Sequence, residues 1–251
     1  MAQLADGGDL QHDDGDEQIS DDDDPLKHLR IVNGDENTGT SNLVRSELIS
    51  GILPGQHYSL QDKTLTLTFS KQGSDQAGNA GPDYDQLSII LAVDASPGCG
   101  GVVWPAGQIL SSYLFRKGPE YLRGKNVVEL GSGTGLVGLI AAMLDAGQVW
   151  VTDQAPLLEI MRKNVYMNCL TSKCTVAELD WGTPAPTMIS KPDMILAADC
   201  VYFEPAFPLL VQTLCDLVGE KTEVLFCYKK RRKADRRFFA LLKKKFDWQE
   251  V

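Results

Sequence analysis

Four acidic residues, Glu129, Asp153, Asp180 and Asp199, each stand at or near the end of a short apolar run. They sit in the stretches "VVELGSGTG", "VWVTD", "ELDWG" and "AADCVYFEPAF". A carboxylate that closes a strand can accept two hydrogen bonds from a ribose diol, which makes Asp153 a candidate nucleoside ligand. The glycines Gly131, Gly133 and Gly135 follow the first run directly. Strand, glycine turn and helix together aim backbone N–H groups at a bound anion or polar group. Other readings stay open at this stage. Gly133, Gly135 and Gly138 also have the dinucleotide-binding spacing. Asp153 and Asp199 can each cap a following helix, and Trp181 can be an ordinary packed ring. Against a dinucleotide, the turn begins one step earlier, at Gly131, and lies more than a hundred residues into the chain.

These residues need a frame that brings strand ends into line. From residue 126 onward apolar runs alternate with helical segments. Strands are expected at 126–130, 148–152, 174–179, 193–198 and 222–228, and helices at 135–146, 155–168, 205–218 and 234–244. That order predicts an α/β fold, a doubly wound Rossmann-like parallel sheet with helices on both faces. In such a sheet the ligand lies outside the carboxyl ends of the strands. All four acids fall there, an arrangement that packing alone does not demand. Upstream, "YSLQDKTLTLTF" (58–69) alternates with period two and predicts one half-buried strand. "LSIILAV" (87–93) predicts another, so a small antiparallel β element is expected over 58–94. The stretch 71–85 reads as a loop, and Pro105 as the first turn of a helix.

The net charge of −10 is concentrated at one end. Residues 1–25 hold ten acids and no Lys or Arg, and the remaining 24 acids balance the 24 bases. Residues 1–42 are therefore expected to be an acidic disordered tail, and 43–251 the domain, with its core over 104–251. The six cysteines include no C-x-x-C pair, and only three histidines occur. Free, mostly buried thiols in a reducing cytoplasm are expected, and no metal site. No apolar run reaches the ~20 residues of a membrane span, so no membrane partner is expected.

Taken together, "VVWPAG", "VVELGSGTGLVG", "VTDQ", "LDWG", "ADCVYFEPAF" and "CYKKRRKADRRFF" resemble the seven-β-strand S-adenosylmethionine-dependent methyltransferases. Within these they are similar to the protein-lysine branch, which includes the valosin-containing-protein lysine methyltransferase and the fungal methyltransferases of elongation factor 1-alpha. The resemblance spans about residues 87–240. It implies S-adenosylmethionine as cofactor and a monomeric enzyme acting on a lysine of a folded protein, elongation factor 1-alpha. It also implies roles for single residues. Gly131, Ser132 and Gly133 would cradle the methionine part, with Glu129 at the start of the loop. Asp153 would take the ribose hydroxyls. Asp180 and Trp181 would sit by the adenine, Trp104 would close over the cofactor, and Ala198 would offer a backbone contact. Asp199 and Tyr202 would face the target lysine.

The run 229–237 carries seven bases and one acid. It is open to three readings: a solvated face, a steering patch for an acidic protein surface, or a nuclear localisation or RNA contact. The family's sheet ends in a hairpin. Residues 246–251 could supply its sixth strand, and a seventh strand is missing from the expected count. Two further readings stay open: a small-molecule or nucleic-acid methyltransferase, and an inactive binding module. The Asn/Asp-Pro-Pro-aromatic motif of nucleic-acid amino methylation is absent where Asp199–Tyr202 stands.

Overall fold

The computed structural model describes residues 56–59, 64–71, 85–95, 99–229 and 235–249. The acidic tail, most of the 71–85 loop, residues 230–234 of the basic run and the last two residues of 246–251 lie outside that set. Three strands open the fold: β1 (Gln56–Ser59), β2 (Thr64–Ser70) and β3 (Gln86–Ala92). They form an antiparallel sheet in the order β1-β2-β3, with Ser59 opposite Thr64 and Leu65 opposite Leu91. The single strand expected over 58–69 is thus two. The period-two pattern runs through both, while the polar Gln61-Asp62-Lys63 interruption separates them. Leu65, Leu67, Phe69, Leu87, Ile89 and Leu91 point inward and are buried.

A helix α1 (Pro105–Lys117) and a short turn α2 (Pro119–Leu122) precede the main sheet. The sheet consists of β4 (Asn126–Leu130), β5 (Gln148–Asp153), β6 (Cys174–Glu178), β7 (Met194–Ala198) and β8 (Glu223–Cys227), all parallel. Its helices are α3 (Leu136–Met143), α4 (Leu158–Met167), α5 (Phe207–Leu217) and α6 (Asp235–Leu242). The alternation along each strand divides the core into two layers. Val127, Val149, Val151 and Leu196 pack with Leu110, Leu114, Leu139 and the β2–β3 side chains. Val128, Leu130, Ile195 and Ala197 pack with Phe207, Leu210, Leu214 and Phe238. Helices therefore cover both faces, as the strand–helix order predicts.

The strand order is β6-β5-β4-β7-β8. The chain moves outward from β4 to β5 and β6, then returns to the other side of β4 as β7. The sheet's switch point therefore lies between β4 and β7, with Leu130 opposite Ala197. A crevice opens at such a point because the connections leave in opposite directions. The expected strand over 246–251 is not formed in the described part, where 246–249 are irregular. Among the described residues, β8 is an edge strand; its Phe226 is in ring contact with Tyr228, Phe238 and Phe239, and Trp248 packs on Phe239. No helix among the described residues is long and apolar enough to cross a membrane.

Candidate active site

The carboxyl ends of the five strands collect most of the expected residues. The loop after β4 is held from several sides. Gly133 donates its N–H to Asp153 Oδ2 at 2.8 Å, and the Gln154 N–H donates to Asp153 Oδ1 at 2.8 Å. Gly133 has φ +56°, and a Cβ there would lie 2.5 Å from the Gly100 carbonyl oxygen. The residue is glycine for both reasons: the left-handed turn and the chain that crosses over it. That crossing chain is the short 3-10 turn Cys99–Gly101, which leads to Trp104 at the N-terminus of α1.

Two residues assigned to the cofactor loop, Ser132 and Glu129, also brace it from beneath. The Ser132 hydroxyl donates to the Glu129 carbonyl at 3.1 Å and accepts the Thr152 N–H at 2.9 Å. The Ser132 N–H donates to the Thr152 carbonyl at 3.0 Å. Ser132 thus continues the β4–β5 ladder into the loop, and its hydroxyl and N–H are engaged there. Glu129 is 2% exposed and accepts the Gly138 N–H on Oε2 at 2.9 Å. It shares the strand face of Val127, under α3, so it anchors the loop rather than lining the rim. The one-residue alternation decides this: Leu130, not Glu129, ends the strand.

Burial in this apolar layer pushes the Glu129 carboxyl up to about 8, against lowering by the Gly138 and Ser132 hydrogen bonds. The folded protein therefore favours protonated Glu129, whereas the unfolded chain ionises near its ordinary value. Between those two values the native state holds more protons, so stability falls as pH rises. Glu129→Gln removes that dependence. Between pH 5.5 and 8 the melting temperature of the wild type is expected to fall further than that of Glu129→Gln. A difference of roughly 4 °C corresponds to about one pKa unit at this chain size. Parallel melting curves for the two proteins would contradict the assignment.

At the rim, Asp153 ends β5 and Asp180 follows β6 by two residues. The Leu179 N–H still donates to the Asp153 carbonyl at 3.0 Å, so the two acids stay side by side. Gln154 Nε2 donates to Asp180 Oδ1 at 3.1 Å and joins them. Gln154 closes the sequence motif "VTDQ", and the structure gives it this link to Asp180. Asp153 is held above its ordinary pKa by burial, opposed by the Gly133 and Gln154 N–H groups. Trp181 follows Asp180, and its ring lies against the loop: a Cβ at Gly131 (φ +60°) would be 3.0 Å from the ring carbon Cζ2. The ring also packs against the α5-side core, so it is both a core ring and a wall of the cradle.

Across the switch point stands Asp199. It is 8% exposed and has φ +61°, a left-handed backbone. Asp tolerates this conformation better than most residues, yet it is uncommon outside glycine. Its N–H donates to the Cys227 carbonyl at 2.7 Å, which continues the β7–β8 ladder past Ala198. The next residue, buried Cys200, donates its thiol to the Leu130 carbonyl at 3.3 Å. That bond ties the chain after β7 to the strand that bears the glycine loop. Tyr202 is 43% exposed and Phe203 57% exposed, an aromatic pair beside the rim. The N-cap positions of the following 3-10 turn and of α5 are held by Phe203 and Ala206 rather than by Asp199. Arg237, from the basic run, pairs with Glu204 and belongs to a solvated ion pair. Cys169, Cys174, Cys200, Cys215 and Cys227 are free; Cys174 and Cys200 are buried, Cys227 is half-buried, and Cys169 and Cys215 are exposed. The expectation of mostly buried thiols holds for two of them.

This edge suits an adenosyl sulfonium. Each Asp153 oxygen accepts one backbone N–H and retains a lone pair for a hydroxyl. Acids rather than bases line the rim, which suits a cationic donor.

Residues 83–245 match the family described as lysine methyltransferase. The chain is 40% identical over 180 residues to protein-lysine N-methyltransferase EFM6 of Saccharomyces cerevisiae, covering 61% of this chain and 73% of that protein. To protein N-lysine methyltransferase METTL21A of Danio rerio it is 42% identical over 158 residues, covering 61% and 72%. To EEF1A lysine methyltransferase 3 of Mus musculus it is 37% identical over 147 residues, covering 58% and 62%. Among solved structures, the Thermus thermophilus 16S rRNA N2 G1207 methyltransferase shares the fold at a TM-score of 0.50 and 19% identity, over 73% of this chain and 46% of that one. The family match spans more than half of the 251 residues. The chain belongs to the lysine methyltransferase family and is an S-adenosylmethionine-dependent protein-lysine N-methyltransferase.

Proposed function

We propose that this enzyme methylates a lysine of translation elongation factor 1-alpha in the cytoplasm, with Asp199 and Tyr202 facing the lysine. One observation carries the site assignment. A buried acid with a left-handed backbone stands across the switch point from the glycine loop. Residues held in such backbone conformations cluster at active sites and ligand clamps. The substrate rests on similarity to relatives, one of which is named for elongation factor 1-alpha.

S-adenosylmethionine, when bound, supplies an electrophilic methyl carbon on a sulfonium. The protein's part is alignment and proton handling. A lysine ammonium, with a pKa near ~10.4, has no lone pair at neutral pH. Entry between the Tyr202 ring and the buried Asp199 removes water and favours the neutral amine. Asp199 holds the ammonium, orients it and takes up or relays its proton. The Tyr202 ring offers its face or hydroxyl to the same nitrogen. Asp153 takes the ribose hydroxyls, and Gln154, Asp180 and Trp181 flank the adenine. Gly131 and Gly133 accommodate the methionine part, Trp104 covers it from the α1 side, and Ala198 supplies a backbone contact at the end of β7.

The test is incubation of the full chain with labelled S-adenosylmethionine and purified elongation factor 1-alpha, followed by peptide mapping. One labelled lysine, lost when that residue is changed to arginine, is the expected result. Label on a different protein when a whole proteome is offered, with none on elongation factor 1-alpha, would replace the substrate and leave the chemistry.

A further inference from the structure

We propose that Asn164 is a positioning residue that couples the N-terminal β element to the methyl-donor loop. This rests on reading the glycine loop as the donor cradle. Asn164 lies on α4 and is 0% exposed. Its amide makes three hydrogen bonds. Oδ1 accepts the Ala92 N–H at 2.6 Å. Nδ2 donates to the Ala92 carbonyl at 3.2 Å and to the Thr134 carbonyl at 2.8 Å. Ala92 ends β3, and Thr134 is the fourth residue of the loop "GSGTG". One buried side chain therefore grips the strand edge and the donor loop together.

Its neighbour one turn on provides a built-in control. The Asn168 Oδ1 accepts the Ile90 N–H at 3.0 Å, and Nδ2 donates to the Ile90 carbonyl at 2.7 Å and to the Asn164 carbonyl at 2.8 Å. Asn168 makes the same clasp on β3 without touching the loop. The geometry works because two repeats nearly coincide. Four helical residues rise roughly 6 Å, and two strand residues rise roughly 6.7 Å. Asparagines at i and i+4, the second at the C-cap of α4, therefore meet alternate residues of β3 and pair with its backbone as another strand would. Burial around Ala92, Leu157 and Ile160 keeps water from replacing the Asn164 bonds, whereas the Asn168–Ile90 pair is exposed.

The β element reaches the loop by a second route as well. The Asp94 N–H donates to the Gly101 carbonyl at 2.8 Å, and the adjoining Gly100 carbonyl lies over Gly133. The β3 end and the loop thus move as one body, with Asn164 as the direct link between them. Without its amide, the Thr134 carbonyl is left buried and unpaired, and the loop loses its outer anchor. Donor binding then has to order the loop, which weakens affinity without altering the reacting groups.

The experiment measures S-adenosylhomocysteine affinity by calorimetry for the full-length wild type, Asn164→Ala and Asn168→Ala, well below each melting temperature. Both variants should melt earlier. Asn164→Ala should bind roughly tenfold or more weakly, the size of one buried hydrogen bond. Asn168→Ala should bind within about twofold of the wild type. Turnover of Asn164→Ala at saturating donor should stay within about threefold of wild type, so the change falls on the donor KM. Equal affinity of Asn164→Ala and the wild type would overturn the proposal, as would equal weakening in both variants. Wild type that takes up no S-adenosylhomocysteine would instead overturn the reading of the loop itself, and this inference with it. A second measurement needs no variant. Ligand binding should slow hydrogen exchange at the Ala92 amide, bonded to Asn164, more than at the Ile90 amide, bonded to Asn168. Equal change at the two amides would overturn the coupling.

Discussion

Changing Asp199 to asparagine is expected to lower methyl transfer by at least ~100-fold, the usual scale for losing a positioned proton-handling group. Affinity for S-adenosylmethionine should change by less than about threefold, because the donor's proposed side-chain contacts lie elsewhere and the neighbouring Ala198 offers only its backbone. Asparagine is the informative replacement. It keeps the shape and, like aspartate, tolerates the left-handed φ of +61°. It therefore removes the charge without releasing the backbone. Alanine removes both, and in that conformation costs about 1–2 kcal/mol of stability. If Asp199→Asn unfolds no earlier than wild type yet turns over at a normal rate, the carboxylate has no part in handling the lysine. If Asp199→Ala alone is inactive, the role of Asp199 is to shape the chain after β7. Initial rates at saturating donor, with melting temperatures for both variants, separate these outcomes.

The second large effect is expected at Asp153. Changing it to asparagine should weaken S-adenosylhomocysteine binding by ~100-fold or more. The carboxylate now accepts N–H groups from Gly133 and Gln154, one on each oxygen. An asparagine must turn an NH₂ toward one of those donors, so a charge-assisted bond becomes a clash. Each such bond contributes about 1.5–3 kcal/mol, and a tenfold change corresponds to about 1.4 kcal/mol. The ribose hydroxyls lose their charged acceptor as well. Calorimetry with the purified full-length variant checks this. Affinity within threefold of wild type would leave Asp153 as a clamp on the loop and remove it from the ribose.

Both predictions concern residues that stand out in the sequence, and the reason is local. Strand ends, glycine turns and the acids beside them are set by short-range patterns: an apolar run, then a residue that needs left-handed φ, then a helix. Those patterns place β4 at Asn126–Leu130 and put Asp153 at the last residue of β5. The alternation of apolar runs with helical segments also foretells helices on both faces. Period-two alternation does not say that 58–69 is two strands, because a reversal between them leaves the pattern on each side unchanged.

Which of these residues meet is settled by packing. Nothing local states that β7 returns to lie beside β4, yet that return creates the crevice and sets Asp199 against the glycine loop. The burial of Glu129 and the engagement of Ser132 follow from side-chain parity and from a neighbouring strand 20 residues away. Asn164 is silent in the sequence because an amide side chain has no charge or pattern of its own. Its role is defined only by the backbone groups that folding brings within about 3 Å of it. The chemical vocabulary of the site is thus written in the chain, and the assembly of the sheet chooses which parts of it face one another. Side-chain type and strand periodicity are encoded within a few residues, whereas strand order and buried amide contacts depend on chain segments far apart.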